Sequence, residues 1–139
     1  SEAWAQYDCR LLPGVTADEQ LNRIRSWTAH LDGITIEQLH FNPSSQSPID
    51  DPVYEAIARY AVEDKPESVA VPALSVGFTD SLFARQRGVR AYGYAPLLLT
   101  VEEAETMHGH DERVSIENMH EGLRTLFSVI VEVAAQPAR

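Results

Sequence analysis

The sequence has one cysteine, few basic residues relative to its acidic ones, and no long apolar run. Cys9 is the only cysteine among 139 residues, which excludes an internal disulfide, and nothing indicates an oxidising compartment. A net charge of -10 argues against broad attraction to nucleic acid or anionic membranes. No apolar run approaches the roughly 20 residues that cross a bilayer, and residues 1–5 do not resemble a signal peptide. We therefore expect a cytoplasmic protein with neither partner.

The composition is that of a globular protein. Hydrophobic residues make up 44% of the chain and charged residues 23%, which is typical of a soluble domain rather than a disordered one. A chain of this length can form one ordinary domain with a core.

The first third of the chain predicts a strand, a helix and a second strand. Residues 4–12 and 34–41 have the composition of strands. Thr16 and Glu19 form a capping-box pattern, and the apolar residues that follow at helical spacing predict a helix over about residues 17–30.

The rest of the chain alternates helices and strands, as parallel α/β folds do. Residues 42–48, rich in Pro and Ser, mark a boundary before it. The predicted elements are a helix with Asp51 as N-cap, a strand over residues 68–76, a short helix over residues 82–86, a strand over residues 89–94, and a helix from the N-cap Ser115 to about residue 134.

The loop before the last helix holds an unusual cluster of polar residues. His108, His110, Asp111 and Glu112 lie within five positions. Imidazole is a common zinc ligand, and a neighbouring carboxylate can orient it or bind metal itself. The alternative is a solvated loop whose acids favour the positive N-terminus of the next helix. Taken alone, the loop favours this alternative, because two His residues do not fill a zinc coordination sphere.

Four segments in a fixed order favour the metal site over the solvated loop. Residues 7–14, residues 77–81 with Arg85 downstream, residues 88–96, and residues 108–114 together resemble the two-zinc metallopeptidase family of aminoacylase, glutamate carboxypeptidase and the desuccinylase of lysine synthesis. Each segment alone is a weak signal. The four together, in this order, are a specific one and favour a metal site at residue 108.

The resemblance implies a fold and a domain arrangement. Residues 1–41 would be the end of a lid or dimerisation domain, a strand-helix-strand piece of an α+β fold. Residues 42–139 would be the C-terminal portion of a catalytic domain with a mainly parallel sheet flanked by helices. The N-terminal half of the catalytic domain would be a missing partner, and the lid implies a homodimer as a second expectation.

The resemblance also assigns roles to residues. His108 would bind one of two zinc ions, while His110 matches no ligand. Asp111 and Glu112 would hold the imidazole or nearby backbone, with interaction with the helix dipole as the close alternative for Asp111.

A second group of residues would border the active site or contact substrate. Gly77, Thr79 and Asp80 lie at the end of a predicted strand, where α/β folds place ligand-binding loops. Phe78 and Leu82 depart from the small or basic residues found there in the family. Arg85 would bind a substrate carboxylate or lie on the surface, and the residue type favours the surface.

Two other patterns imitate ligand motifs. His30 and Asp32 have a His-x-Asp spacing, but they lie where a helix is expected to end. Glu102 and Glu103 form an acidic pair, but they are expected in a solvated helical turn. Neither pattern is assigned to the metal site.

The implied function is hydrolysis of an amide next to a carboxylate in a small acyl-amino acid or peptide. None of the catalytic residues is expected in this chain, since the general base and the remaining zinc ligands belong to the missing half. The chain alone is therefore expected to be inactive. The alternative from another class is a non-catalytic binding or interaction domain derived from the same family.

Overall fold

A computed structural model describes residues 2–135, and within that range the regular secondary structure is entirely helical. The helices are α1 (Ala17–Thr28), α2 (Pro52–Ala61), α3 (Ser81–Gln86), α4 (Val101–Glu105) and α5 (Ile116–Ala135). None of these helices combines the length and apolar character required to span a membrane.

The helix starts follow the capping patterns of the sequence. The Thr16 hydroxyl accepts a hydrogen bond from Glu19 N at 3.2 Å, and Thr16 N donates to Glu19 Oε2 at 2.8 Å, which confirms the predicted capping box. The Glu19 carboxylate accepts hydrogen bonds from Thr16 N and, at 2.9 Å, from the Thr16 hydroxyl, and these two bonds, the one from Thr16 N first, lower the pKa of Glu19. Asp51 caps α2 by accepting from Val53 N at 3.0 Å. Side chains therefore satisfy orphan N–H groups at both helix starts.

The predicted strands are wrong. Residues 4–12, 34–41, 68–76 and 89–94 are neither helical nor strand-paired in the part of the chain that is described. Neither the strand-helix-strand piece nor the parallel sheet is present. An apolar or alternating pattern shows that a segment could cover a core, but a strand also needs a neighbour whose N–H and C=O groups pair with its own. The pattern carries no information about whether that neighbour is present.

The segment over residues 68–76 shows the consequence for apolar side chains. Val69 is 82% exposed and Val76 is 72% exposed, although the sequence pattern is that of a strand buried on both faces. A partner strand and covering helices would remove these side chains from water. Without them, the segment is an apolar surface.

The described residues divide into two compact units. The first unit comprises Ser1–Ser47 and Val76–Arg90, with helices α1 and α3, and Leu82 is its buried apolar residue. The second unit comprises Pro48–Ser75 and Ala91–Arg139, with helices α2, α4 and α5. Assignment of the chain to a lid and a catalytic domain stays a prediction.

The core of the second unit lies where α2 packs against α5. Ala56 on α2 and Val129 on α5 are both buried. At the edge of this contact, Arg59 forms a 2.6 Å ion pair with Glu132, and a hydrogen bond to Glu132 raises the pKa of Tyr60. Exposed ion pairs contribute only about 0–1 kcal/mol, so burial of apolar side chains is the main source of stability here.

Gly122 allows α5 to contact the backbone that precedes α4. A Cβ at position 122 would lie 2.5 Å from the Pro96 carbonyl oxygen and 3.2 Å from Leu97 Cδ2. Gly122 is buried in the interior of α5, where Gly costs about 1 kcal/mol relative to Ala. The close approach of the two backbones explains why a glycine is accommodated there.

We expect Gly122→Ala to destabilise the chain. The gain in helix propensity is about 1 kcal/mol, but a contact of 2.5 Å with a backbone oxygen forces α5 and residues 96–97 apart, and overpacking costs about 1–3 kcal/mol. Urea unfolding followed by circular dichroism measures the difference. His120→Ala, at an exposed position of the same helix, is the control and should change stability by less than about 0.5 kcal/mol. A Gly122→Ala chain as stable as this control would contradict the explanation.

Candidate functional site

The His108 loop, residues 106–114, connects α4 to α5 and is exposed over most of its length. Two of its residues have left-handed backbone, His108 with φ 60° and Asp111 with φ 59°. Such conformations are uncommon outside glycine and concentrate at functional sites. Both residues are among those that the sequence assigned to the metal site.

Hydrogen bonds within the loop hold this backbone in place. His108 N donates to Glu112 Oε2 at 3.3 Å, and Gly109 N donates to Thr106 O at 2.8 Å. Arg113 Nη1 donates to Asp111 O at 3.1 Å. The Glu112 carboxylate thus contacts the backbone of His108, and its supporting role at a metal site stays a prediction.

The start of α5 does not depend on Asp111. Asn118 N donates to Ser115 Oγ at 3.1 Å, so Ser115 is the N-cap, as predicted. Asp111 lies four positions before this cap, and the influence of a helix dipole is confined largely to the first turn. Both interpretations of Asp111, support of the His108 loop and interaction with the helix dipole, stay predictions.

The second group of predicted residues lies in the other unit, before and along α3. Leu82 N donates to Thr79 O at 3.2 Å and Phe83 N donates to Asp80 O at 3.0 Å, so Thr79 and Asp80 form the first turn of α3 through their backbone. Asp80 makes no side-chain cap hydrogen bond. The side chains of Thr79 and Asp80 are exposed. Gly77 comes directly before this turn.

Arg10, in the segment over residues 7–14, contacts the residue before Gly77. Its Nη1 donates to Val76 O at 3.0 Å, and its Nη2 pairs with Asp8 at 2.6 Å. Two of the sequence segments that carried the family resemblance, residues 7–14 and 77–81, are therefore adjacent. This contact is within the first unit.

Arg85 binds the segment before α2 instead of standing free on the surface. Its Nε donates to Ser47 Oγ at 3.2 Å, and its Nη1 donates to both the carbonyl and the hydroxyl of Ser45 at 3.2 Å. The residue is half-buried. Neither interpretation of Arg85 drawn from the sequence included this contact, because spacing alone does not show which distant backbone a guanidinium reaches.

The described residues do not form a complete metal centre. No group of three or more His, Cys, Asp or Glu side chains in residues 2–135 is placed to hold an ion. His30 and Asp32 follow the end of α1, and Glu103 is engaged in the capping box of α4 with Thr100. The His-x-Asp pattern thus lies at a helix end, and the acidic pair lies in a short helix, as expected for each.

Two further residues near the loop were missed by the sequence interpretation. Asn118 binds the backbone of Leu98 through its side chain, with both distances 2.9 Å, and Gly122 contacts Pro96 one turn later. An Asn and a Gly inside a long helix are both unfavourable by propensity, and that was the available signal.

Comparison with known proteins identifies the family. The profile of peptidase family M20/M25/M40 matches residues 8–132, which is most of the chain. This chain belongs to peptidase family M20/M25/M40. The family resemblance inferred from the four segments is thereby confirmed, and a hydrolase-family origin with it.

Two curated relatives match the M20 chain over most of its length. The N-fatty-acyl-amino acid synthase/hydrolase PM20D1 of Homo sapiens is 26% identical over 132 residues, and that of Mus musculus is 27% identical over the same length. Each alignment covers 92% of this chain and 26% of the relative. The M20 chain thus spans about a quarter of the length of these relatives. No solved structure matches it.

Arg85→Lys tests whether the guanidinium fixes the segment before α2 of this M20 chain. Lysine has no planar fork and cannot reproduce donation from two nitrogens, so we expect faster amide exchange over residues 42–48 and a loss of about 1–3 kcal/mol in unfolding free energy. Arg87→Lys is the matched control, because Arg87 is exposed and its guanidinium binds locally. Its Nη1 donates to Phe83 O, four positions earlier, at 3.3 Å. Equal exchange in the two variants would remove the structural role from Arg85.

Proposed function

We propose that this sequence forms the C-terminal portion of a zinc-dependent M20 hydrolase that cleaves an amide next to a carboxylate. The substrate is a small acyl-amino acid or peptide. The family match supports the hydrolase class, and the two relatives, which are N-fatty-acyl-amino acid synthase/hydrolases, support an acyl-amino acid as substrate. The chain by itself is inactive.

The observation that carries the proposal is the backbone of His108. A φ of 60° in a residue with a bulky side chain costs free energy, and Glu112 holds that conformation from four positions away. The imidazole stands on an exposed loop. A fixed backbone and an exposed ring would let His108 present its imidazole to a metal ion in one orientation.

The rest of the metal site has to come from another part of the protein. Since the described residues contain no group of three potential ligands, His108 would contribute one ligand and the N-terminal half of the catalytic domain the others. No catalytic step follows from the residues of this chain alone. The acidic loop residues beside His108 would orient the ligand.

The same partner would account for the exposed apolar side chains at residues 68–76. Val69 is 82% exposed and Val76 is 72% exposed, and contact with the N-terminal half would remove them from water. Docking and metal binding would then depend on one another, because that half would supply both the covering surface and the remaining ligands.

The isolated chain is expected to release no amino acid from an N-acyl amino acid above the buffer rate, with or without added zinc. One imidazole cannot hold two metal ions in a structural arrangement suited to hydrolysis. The measurement is amino acid release at a high chain concentration, with zinc content determined on the same sample. Zinc-dependent turnover by the pure 139-residue chain would refute this part of the proposal.

His108→Ala in the complete hydrolase is expected to lower kcat/KM by more than about 100-fold, because even residues that only support a zinc ligand cost 10–100-fold. Bound zinc should fall with it. The matched control is His110→Ala in the same loop, an exposed imidazole for which no ligand role is proposed, and it should retain activity within a few-fold. Full activity and full zinc content in the His108 variant would contradict the assignment of His108 as a zinc ligand.

The alternative is a non-catalytic binding domain, and one structural feature favours it. The second unit has an open apolar groove of about 230 Å³ between α2 and the following segment, whose lining includes Tyr54, Ile57, Val62, Val71 and Tyr94. Burial raises the pKa of Tyr94, consistent with an apolar surrounding. If this alternative holds, His108→Ala leaves the protein's function intact, whereas a substitution such as Ile57→Asp in the groove abolishes it.

A further inference from the structure

Asn118 forms a two-point contact with a backbone residue far from it in sequence. Leu98 N donates to Asn118 Oδ1 at 2.9 Å, and Asn118 Nδ2 donates to Leu98 O at 2.9 Å. One side-chain amide thus satisfies both polar backbone groups of Leu98, in the manner of a hydrogen-bonded residue pair between antiparallel strands.

The backbone of Asn118 contacts the other end of the same segment. Its N–H donates to Ser115 Oγ at 3.1 Å. Leu98 and Ser115 are the ends of the stretch that contains α4 and the His108 loop, which we call the His108 segment (residues 98–115). One residue therefore holds both ends of the segment that carries His108.

The next turn of α5 supports the contact between Asn118 and Leu98. Gly122 brings the helix backbone against Pro96, two residues before Leu98. The contact leaves no room for a side chain, so α5 and residues 96–98 stay in register where the amide of Asn118 can reach Leu98. We call the contacts of Asn118 with Leu98 and Ser115 the clamp. Because the backbones of α5 and residues 96–98 are packed together, the two sides of the clamp are held at a constant distance.

The position of Asn118 in α5 makes its side chain unusual. It is the third residue after the Ser115 N-cap, where a Glu or Gln would ordinarily turn back to the cap backbone. Glu103 and Glu19 do so in α4 and α1. The shorter amide of Asn118 bonds to Leu98 instead, so this position connects two segments rather than closing its own helix.

We propose that Asn118 is the positioning residue of His108. By holding both ends of the His108 segment, it restricts the conformations of the loop and helps to maintain the unfavourable φ of His108. The importance of that position for catalysis rests on the function proposed above. The clamp itself is a property of the second unit and is tested without zinc or substrate.

The experiment compares Asn118→Leu and Asn118→Asp in the full chain. Leucine has a similar size and makes no hydrogen bond. Aspartate keeps an acceptor for Leu98 N but places a carboxylate against Leu98 O, while its charge favours the N-terminal turn of α5. The Asp variant therefore weakens the clamp without weakening the helix. Glu117→Ala is the control, since it removes an acid from the same turn and leaves Leu98 untouched.

Three readouts report on the segment. Trypsin cleavage at Arg113 reports its opening, because Arg113 is the only Lys or Arg between residues 98 and 115. Amide exchange at Leu98 reports the hydrogen bond directly. The imidazole resonances of His108 report its position, which a role limited to helix stability would not alter in the Asp variant.

We expect at least tenfold faster cleavage and Leu98 exchange in Asn118→Leu, an intermediate increase in Asn118→Asp, and shifted His108 resonances in both. The Glu117→Ala control should match the unmodified chain. Unchanged cleavage and resonances in both variants would overturn the proposal, and so would loss of the helical far-ultraviolet signal in both, since that would make Asn118 a requirement for folding. Failure of His108→Ala to affect hydrolysis would count against the proposed function alone.

Discussion

The backbone of α5 contacts Pro96 because position 122 carries no side chain. One turn earlier, the Asn118 amide pairs with Leu98, and at the start of the helix Ser115 caps it. On the same helix, Val129 is buried, and Glu132 forms an ion pair with α2. The candidate ligand His108 is therefore connected to the core of its unit through α5. The loop carries the residues proposed for the metal site, and α5 determines where the loop ends.

A second constraint acts on the apolar segments between the helices. Valines in residues 68–76 are exposed, and these residues form no strand in the described part of the chain. Exposed apolar side chains in a continuous segment are typical of a surface that another part of a protein covers. In the proposed hydrolase, the N-terminal half of the catalytic domain would cover this surface and supply the remaining zinc ligands.

The charge distribution of the chain is consistent with a small-molecule function but does not define it. The loop beside His108 is acidic, and Arg85, the arginine that could have bound a substrate carboxylate, bonds to Ser45 and Ser47. A role for Arg85 at a substrate carboxylate stays a prediction. The relatives that match this chain are about four times its length by their covered share, which leaves most of such an enzyme outside the compared region.

Local interactions explain which elements the sequence predicted correctly. The capping box at Thr16 and Glu19, the Asp51 and Pro52 start of α2 and the Ser115 cap of α5 each involve residues two or three positions apart, and all three are present. The family was also readable, because four short segments kept their order and spacing. The unusual residues of the loop were visible as residue types.

Only the tertiary structure decided the contacts between distant positions. The sequence could not show that Arg85 reaches Ser45, that Asn118 reaches Leu98, or that Gly122 allows contact with Pro96, since each pair is 20 or more positions apart. It also predicted strands that do not form, because a strand depends on a partner that its own residues do not specify. The sequence by itself determined the capped starts of α1, α2 and α5 and the family. The tertiary structure determined what those helices hold in place, because that depends on which backbone groups meet in space.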